Sequence, residues 1–155
     1  SSGNLLVGTT ASVGGGSEGV EIRNDFGYIK TARNNAGPVG HWLLYNPNGN
    51  VGSVTTSGSA TTYNTSSDVR LKENIVDAPA GNIDDIRVRS FDWKVDGSHQ
   101  TYGMVAQELV DVAPEAVTQG ETEEDMWGVD YSKLVPMMIK EIQDLKAEVA
   151  ALKGA

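Results

Sequence analysis

Apolar and polar residues alternate over short distances in the first part of the chain, and glycine- and asparagine-rich turns separate the alternating stretches. This pattern is typical of short β-strands joined by tight turns. Four stretches follow it: residues 5–7, 19–23, 27–30 and 40–45. A run of Gly, Ser and Thr then extends over residues 52–65 with almost no large apolar side chain.

Residues 1–66 hold too little apolar surface to fold as one isolated chain. Ordering each residue opposes folding by about 1–2 kcal/mol of backbone entropy, which a small core cannot offset. We therefore expect strands from several chains to wrap round a common axis and share one core. A linker without its own structure is the alternative that this composition leaves open.

The middle of the chain mixes strand and helix patterns. Residues 86–95 alternate with a slip near Ser90, which predicts a bulge or turn between two strand pieces. Residues 96–97 form a turn, and residues 102–112 carry apolar positions at helical spacing up to Pro114. Two short strands are predicted after it, residues 116–118 and 126–129.

The clearest element is a helix over residues 132–153, with Ser132 as its cap and Pro136 in its first turn, where a missing N–H matters little. Glutamates at g and lysines at e favour a parallel coiled coil. β-branched residues at a favour a dimer, and a single amphipathic helix packed on its own domain is the alternative. Apolar residues recur at the a and d positions of a heptad: Val135, Met138, Ile142, Leu145, Val149 and Leu152.

Composition and charge exclude several classes of function. The 155 residues include no Cys and two His, so we expect no disulfide, no metal centre and no cofactor. No apolar run reaches the length of about 18 residues that a membrane-spanning helix needs. Basic and acidic residues cancel over residues 1–67, so residues 68–155 carry the whole net charge of −9. An acidic second half argues against a nucleic-acid partner.

One candidate for chemistry lies where the composition changes. Ser67 and Lys72 could form a Ser-Lys dyad, a known variant of the catalytic triad, if the lysine is held neutral. A separation of five residues puts two side chains on opposite faces of a strand and well apart round a helix. The segment must therefore bend, or the lysine must come from a neighbouring chain. Spacing alone fits two ordinary surface residues better than it fits catalysis.

Three ordered motifs carry a family resemblance: SSDVRLKENI at residues 66–75, YGMVAQEL at 102–109 with PEAV at 114–117, and VDYSKLVP at 129–136. Together they resemble the C-terminal intramolecular chaperone domain of bacteriophage tailspikes and tail fibres, the endosialidase-type, self-cleaving peptidase S74 family. The resemblance runs from about residue 67 to residue 153. Residues 1–66 resemble only in general terms the distal end of a fibre.

The resemblance implies an α+β homotrimer. Its first domain, residues 1–66, would be the end of an intertwined β-fibre, similar to a β-prism or β-helix. The second, residues 67–155, would be a small chaperone domain that ends in the coiled-coil helix and acts on the upstream fibre region of its own chain. The trimer would assemble in the bacterial host cytoplasm, with the first domain kept in the virion tail for host attachment and the second released after cleavage.

The resemblance also implies roles for single residues. Ser67 would be the nucleophile and Lys72 its base in a single-turnover cut of the Ser66–Ser67 bond, while Asp68 and Arg70 would shape the site. Two alternatives stay open: a trimerisation module that does not cleave, and a receptor-binding fibre tip. In the second alternative Trp42 and Tyr45 would hold a glycan of the host surface.

Overall fold

The computed structural model of the protein describes residues 4–14, 16–24 and 27–154. Over these residues the chain is α+β, with small antiparallel sheets and a long C-terminal helix, as the sequence predicts in outline. The chain divides into two compact units, residues 1–75 and 76–155. The predicted domain boundary between residues 66 and 67 lies within the first unit and stays a prediction.

The first unit consists of two three-stranded sheets. All four predicted strands are present, with ends that differ by up to two residues, and they are joined by two more strands from the Gly/Ser/Thr-rich run. Each sheet follows chain order, β1-β2-β3 and β4-β5-β6. The strands are β1 Leu5–Val7, β2 Gly19–Ile22, β3 Ile29–Ala32, β4 Val39–Asn46, β5 Gly49–Ser57 and β6 Ala60–Thr65.

Few described side chains of this unit are buried. Among its described residues, Val13 is the one apolar side chain that is buried, and the other fully buried side chain is Glu21. Burial raises the pKa of Glu21, but hydrogen bonds from Ser12, from the Val13 N–H and from Asn4 outweigh it and keep the pKa below its ordinary value. Large apolar residues stay half exposed or more, among them Trp42, Leu43, Leu44, Tyr45 and Tyr63.

The described residues of the second unit form two two-stranded antiparallel sheets, two α-helices and short 3₁₀ turns. β7 (Arg89–Asp92) pairs with β8 (His99–Gly103), and their register shifts between Arg89 and Phe91, which confirms the slip predicted near Ser90. The other pair is β9 (Val117–Thr118) with β10 (Gly128–Val129).

The helix predicted over residues 102–112 is wrong for most of its length. Residues 102 and 103 belong to β8, and α1 spans only Ala106–Leu109. The strand continues through Gly103 because the ring of Phe91 packs on that glycine. The buried core of the unit joins the end of α1 to the 3₁₀ turn before the C-terminal helix, and it consists of Leu109, Ala113, Ala116 and Leu134.

The C-terminal helix α2 spans Val135–Gly154, which confirms the predicted element. It follows a 3₁₀ turn at Tyr131–Leu134 that is capped by Asp130, whose carboxylate accepts the Ser132 N–H. The prediction of Ser132 as the cap is therefore wrong by two residues, because a carboxylate two residues earlier takes the free N–H. No described helix is both long and apolar enough to cross a membrane.

Candidate self-cleavage site

The backbone just before Ser67 is an extension of the β5–β6 ladder. Thr65 pairs with Gly52 as the last residue of β6. Ser66 continues the pairing, since its N–H donates to the carbonyl of Val51 at 3.1 Å. Its hydroxyl donates to the carbonyl of Asn50 at 2.8 Å. Two hydrogen bonds therefore hold Ser66 on β5.

The backbone just after Ser67 is a capped 3₁₀ turn at Val69–Leu71. The Asp68 carboxylate accepts the Arg70 N–H at 2.8 Å and binds the Arg70 guanidinium through both oxygens at 2.9 and 2.8 Å. These hydrogen bonds, first that of the Arg70 side chain, hold the pKa of Asp68 below its ordinary value of 3.8. Asp68 and Arg70 thus fix the turn, which is a structural basis for the site-shaping role expected of them.

This turn returns Lys72 to Ser67. The Lys72 ammonium donates to Ser67 Oγ at 2.7 Å and to the Ser67 carbonyl at 3.2 Å. Of the two arrangements that the spacing left open, the single chain has the bend, so a lysine from a neighbouring chain is not needed for contact. Hydrogen-bond contact between a nucleophile and its base is the geometry that covalent catalysis requires.

The contact is solvent-exposed in the single chain. Ser67, Asp68, Arg70 and Lys72 are all exposed. A protonated lysine has no lone pair with which to take a proton, so it acts as a base only when it is neutral. Burial favours the neutral form of lysine. A single chain therefore places Ser67 and Lys72 in contact but does not remove the lysine from water.

Residues that the sequence reasoning did not single out hold the second unit together. Arg89 binds Glu108 through two hydrogen bonds of 2.8 and 2.7 Å, and this guanidinium lowers the pKa of Glu108. The Tyr131 hydroxyl accepts the Met104 N–H at 3.3 Å and so joins the second and third motifs. For the Arg89–Glu108 ion pair, the sequence signal was the acidic Glu108 inside the second motif.

The predicted coiled-coil positions form an exposed apolar stripe along α2. Val135, Met138, Ile142, Leu145, Val149 and Leu152 are between 40% and 79% exposed, and no residue of α2 is buried. Ile139 lies beside the stripe and is also half exposed, although the heptad pattern did not include it. Within the described part of the chain, no cluster of His, Asp and Glu side chains is placed to hold a metal ion.

Comparison with known families matches part of the chain. The family model described as chaperone of endosialidase, peptidase S74, matches residues 67–118, about a third of the chain. The match begins at Ser67 and includes the turn with Lys72, the β7–β8 pair, α1 and Glu108. Searches of curated proteins and of solved structures give no match to this chain.

Proposed function

Because residues 67–118 belong to the chaperone-of-endosialidase family, peptidase S74, we propose that the chain is an intramolecular chaperone of a trimeric phage tail fibre or tailspike. It aligns three chains and then cuts itself between Ser66 and Ser67. The observation that carries the cut is the 2.7 Å contact between Lys72 Nζ and Ser67 Oγ at the first residues of the family match.

The chaperone role accounts for the exposed apolar surface of both units. Val13 is the one buried apolar side chain among the described residues of the first unit, and α2 presents an unburied apolar stripe. Fibres with interchain contacts fold slowly, because non-local contacts form only after a large entropic cost. A trimeric C-terminal helix bundle raises the effective concentration of the three upstream segments and sets their register.

The proposed cut proceeds in two balanced steps. Ser67 Oγ attacks the Ser66 carbonyl carbon, neutral Lys72 takes the hydroxyl proton, and the peptide C–N bond breaks as the lysine returns that proton to the leaving amine. The product is an ester between the Ser66 carboxyl and the Ser67 hydroxyl. Water then hydrolyses the ester, which leaves a carboxylate on Ser66 and a free amine and hydroxyl on Ser67.

Assembly supplies what the single chain lacks at this site. A neighbouring chain that covers Ser67 and Lys72 would desolvate the lysine and favour its neutral form. Cleavage would then follow trimer formation and report it. Purified uncut chain should therefore be cut faster at concentrations that favour the trimer, and a dilute monomer that cuts itself at the same rate would contradict this dependence.

The cut gives the fibre its final stability. Separation from its trimeriser leaves the fibre unable to reassemble readily, so its stability becomes a matter of a slow unfolding rate. Assembly takes place in the host cytoplasm, after which the fibre segment stays in the virion tail and the chaperone domain leaves.

Intact mass under denaturing conditions tests the proposal. The unmodified chain should give two fragments that divide at the Ser66–Ser67 bond. Ser67→Ala and Lys72→Met should each give one full-length chain, while the matched controls Ser59→Ala and Lys94→Met should be cut like the unmodified chain. A chain that stays uncut but is trimeric by light scattering would leave a trimerisation module without peptidase activity.

A receptor-binding tip is the second candidate function. Trp42 and Tyr45 are 50% and 67% exposed on β4, and aromatic faces of this kind stack on sugars as well as on a shared core. Replacing both with Ala should abolish trimers if they form the core. Intact trimers that no longer adsorb to host cells would favour the tip.

A further inference from the structure

Ser66 is attached to β5 by its side chain as well as by its backbone. Most residues at the end of a ladder rely on the backbone alone, and such terminal pairs open most readily. Here the hydroxyl adds a hydrogen bond of 2.8 Å to the Asn50 carbonyl, beyond the 3.1 Å backbone bond to Val51. The Ser66 hydroxyl is thus engaged away from Lys72, unlike that of Ser67.

The acceptor of this bond is itself held in place. The Asn50 side-chain oxygen accepts the Gly52 N–H at 3.1 Å, and Asn50 pairs with Tyr45 of β4. The carbonyl that holds Ser66 therefore belongs to the central strand of the sheet and moves only with it. The position of Ser66 depends on a folded β4–β5–β6 sheet.

The other side of the reacting bond is fixed by a different device. The capped turn of Asp68 and Arg70 holds Lys72 against Ser67 through contacts that all lie within residues 67–72. This local turn supplies nucleophile and base, whereas the attacked carbonyl is supplied by Ser66 at the end of the sheet. The two sides meet in productive geometry only when both are formed.

We propose, on the basis of the proposed function, that Ser66 is a positioning residue that makes cleavage depend on completed pairing of β5 with β6. Its hydroxyl closes the last rung of the ladder and fixes the carbonyl that Ser67 attacks. A misplacement of about 1 Å at a reacting atom can slow a reaction by orders of magnitude. Cleavage thereby depends on folding of the adjacent β5–β6 hairpin as well as on association of the chains.

The first test compares the cleavage rates of variants at Ser66. The uncut chain is diluted out of denaturant, and intact mass measures the cut fraction over time. Ser66→Ala should slow cleavage by about 2- to 12-fold, the effect of losing one hydrogen bond. Ser66→Thr keeps the hydroxyl and fits a strand, so it should restore a rate near that of the unmodified chain. Ser59→Ala, in the turn of the same hairpin, is the control and should leave the rate unchanged.

The second test weakens the hairpin far from the cut. Gly58 turns the β5–β6 hairpin with φ of 55°, and Gly97 turns the β7–β8 pair with φ of 72°, and an added Cβ meets no atom within 4 Å at either position. Alanine at each position brings a similar backbone strain. Gly58→Ala should slow cleavage, and Gly97→Ala should slow it less. The two rates are compared in samples that contain the same amount of trimer, as measured by light scattering.

The outcomes separate the two ideas. An unmodified chain that stays intact would overturn the proposed cleavage and this inference with it. A wild-type chain that is cut, with Ser66→Ala cut at the same rate or Ser66→Thr as slow as Ser66→Ala, would overturn the positioning role alone. Thermal unfolding of the Ser66 variants in a Ser67→Ala background should change little, whereas a general loss of fold would lower the unfolding temperature of each variant. Equal cleavage rates for Gly58→Ala and Gly97→Ala would also contradict the dependence on β5–β6 pairing.

Discussion

Gly103, in the second motif, lies against the ring of Phe91. A Cβ at this position would lie 2.6 Å from Cε1 and 3.0 Å from Cζ of Phe91. The Phe91 ring also packs edge-to-face with Trp93 at a centroid distance of 5.3 Å. Gly103→Ala should lower the free energy of unfolding by about 1–3 kcal/mol, since a rigid ring must move.

Gly128→Ala is the matched control, because Gly128 also lies in a strand of the second unit and a Cβ there meets no atom within 4 Å. Urea unfolding of both variants in the uncut Ser67→Ala background measures the difference. Equal loss of stability in the two variants would contradict the packing of Phe91 on Gly103.

The turn that carries Lys72 should respond to acid through Asp68. The Arg70 side chain, with the Arg70 N–H, lowers the pKa of this carboxyl below 3.8. A lowered folded-state pKa means that the ion pair stabilises the turn above pH 3.8, and that this contribution is lost as the pH falls through the lower folded value. Carboxyl NMR titration should give a pKa below 3.8 for Asp68 and a higher one in Arg70→Ala. The same pKa in both chains would exclude the ion pair as its cause.

Functional residues could be suggested from the sequence where the partners lie close together along the chain. Ser67 and Lys72 lie within one motif, and their residue types made the pair a candidate, although their spacing alone fitted two surface residues better and only the family resemblance assigned them roles. The acceptor at Asn50 lies sixteen residues before Ser66, and Arg89 lies nineteen before Glu108. Such partners depend on how strands pair in space, and a single sequence carries no local signal for them.

At the scale of elements, α2 offers a direct test of association. Ile142 is half exposed on the apolar stripe, and Ala147 is exposed at position f of the same heptad repeat. Glutamate suits helices well, so Ile142→Glu and Ala147→Glu should keep α2 equally helical. Ile142→Glu should yield monomers by sedimentation, because it puts a charge in the shared seam, and Ala147→Glu should associate like the unmodified chain. Association of both variants would assign the stripe to another role.

Elements were predictable where the apolar period was long. Twenty residues with a steady heptad gave α2 nearly to its ends. Residues 102–112 carried only three apolar positions at helical spacing, and packing of Phe91 on Gly103 decided in favour of a strand there. The β5–β6 hairpin was not predicted because its Gly/Ser/Thr-rich sequence lacks large apolar residues that would show an alternating pattern. Its Thr residues nevertheless favour strands, and Gly58 supplies the left-handed turn residue.

At the scale of the whole molecule, composition predicted that the first unit has few apolar residues for a core of its own. It did not predict how many chains associate. The near absence of buried apolar side chains in the described part of the first unit agrees with that expectation. The number of chains could not be derived in the same way, because β-branched residues at a and Leu or Met at d favour dimers by themselves. A trimer is therefore proposed from the family resemblance and not from the heptad pattern.

The proposed division of labour predicts unequal refolding of cut and uncut protein. Uncut Ser67→Ala chain carries its own α2, so after dilution from denaturant the three fibre segments meet at high effective concentration and in register. The cut fibre segment has lost that link. Its described residues bury one apolar side chain, Val13, so we expect single segments to be unstable before they meet. Light scattering after dilution should show trimers for the Ser67→Ala chain and little recovery for the isolated segment, even with the released domain added back. Equal recovery would mean that the fibre segment holds its own assembly information, and that cleavage has no part in fixing its stability.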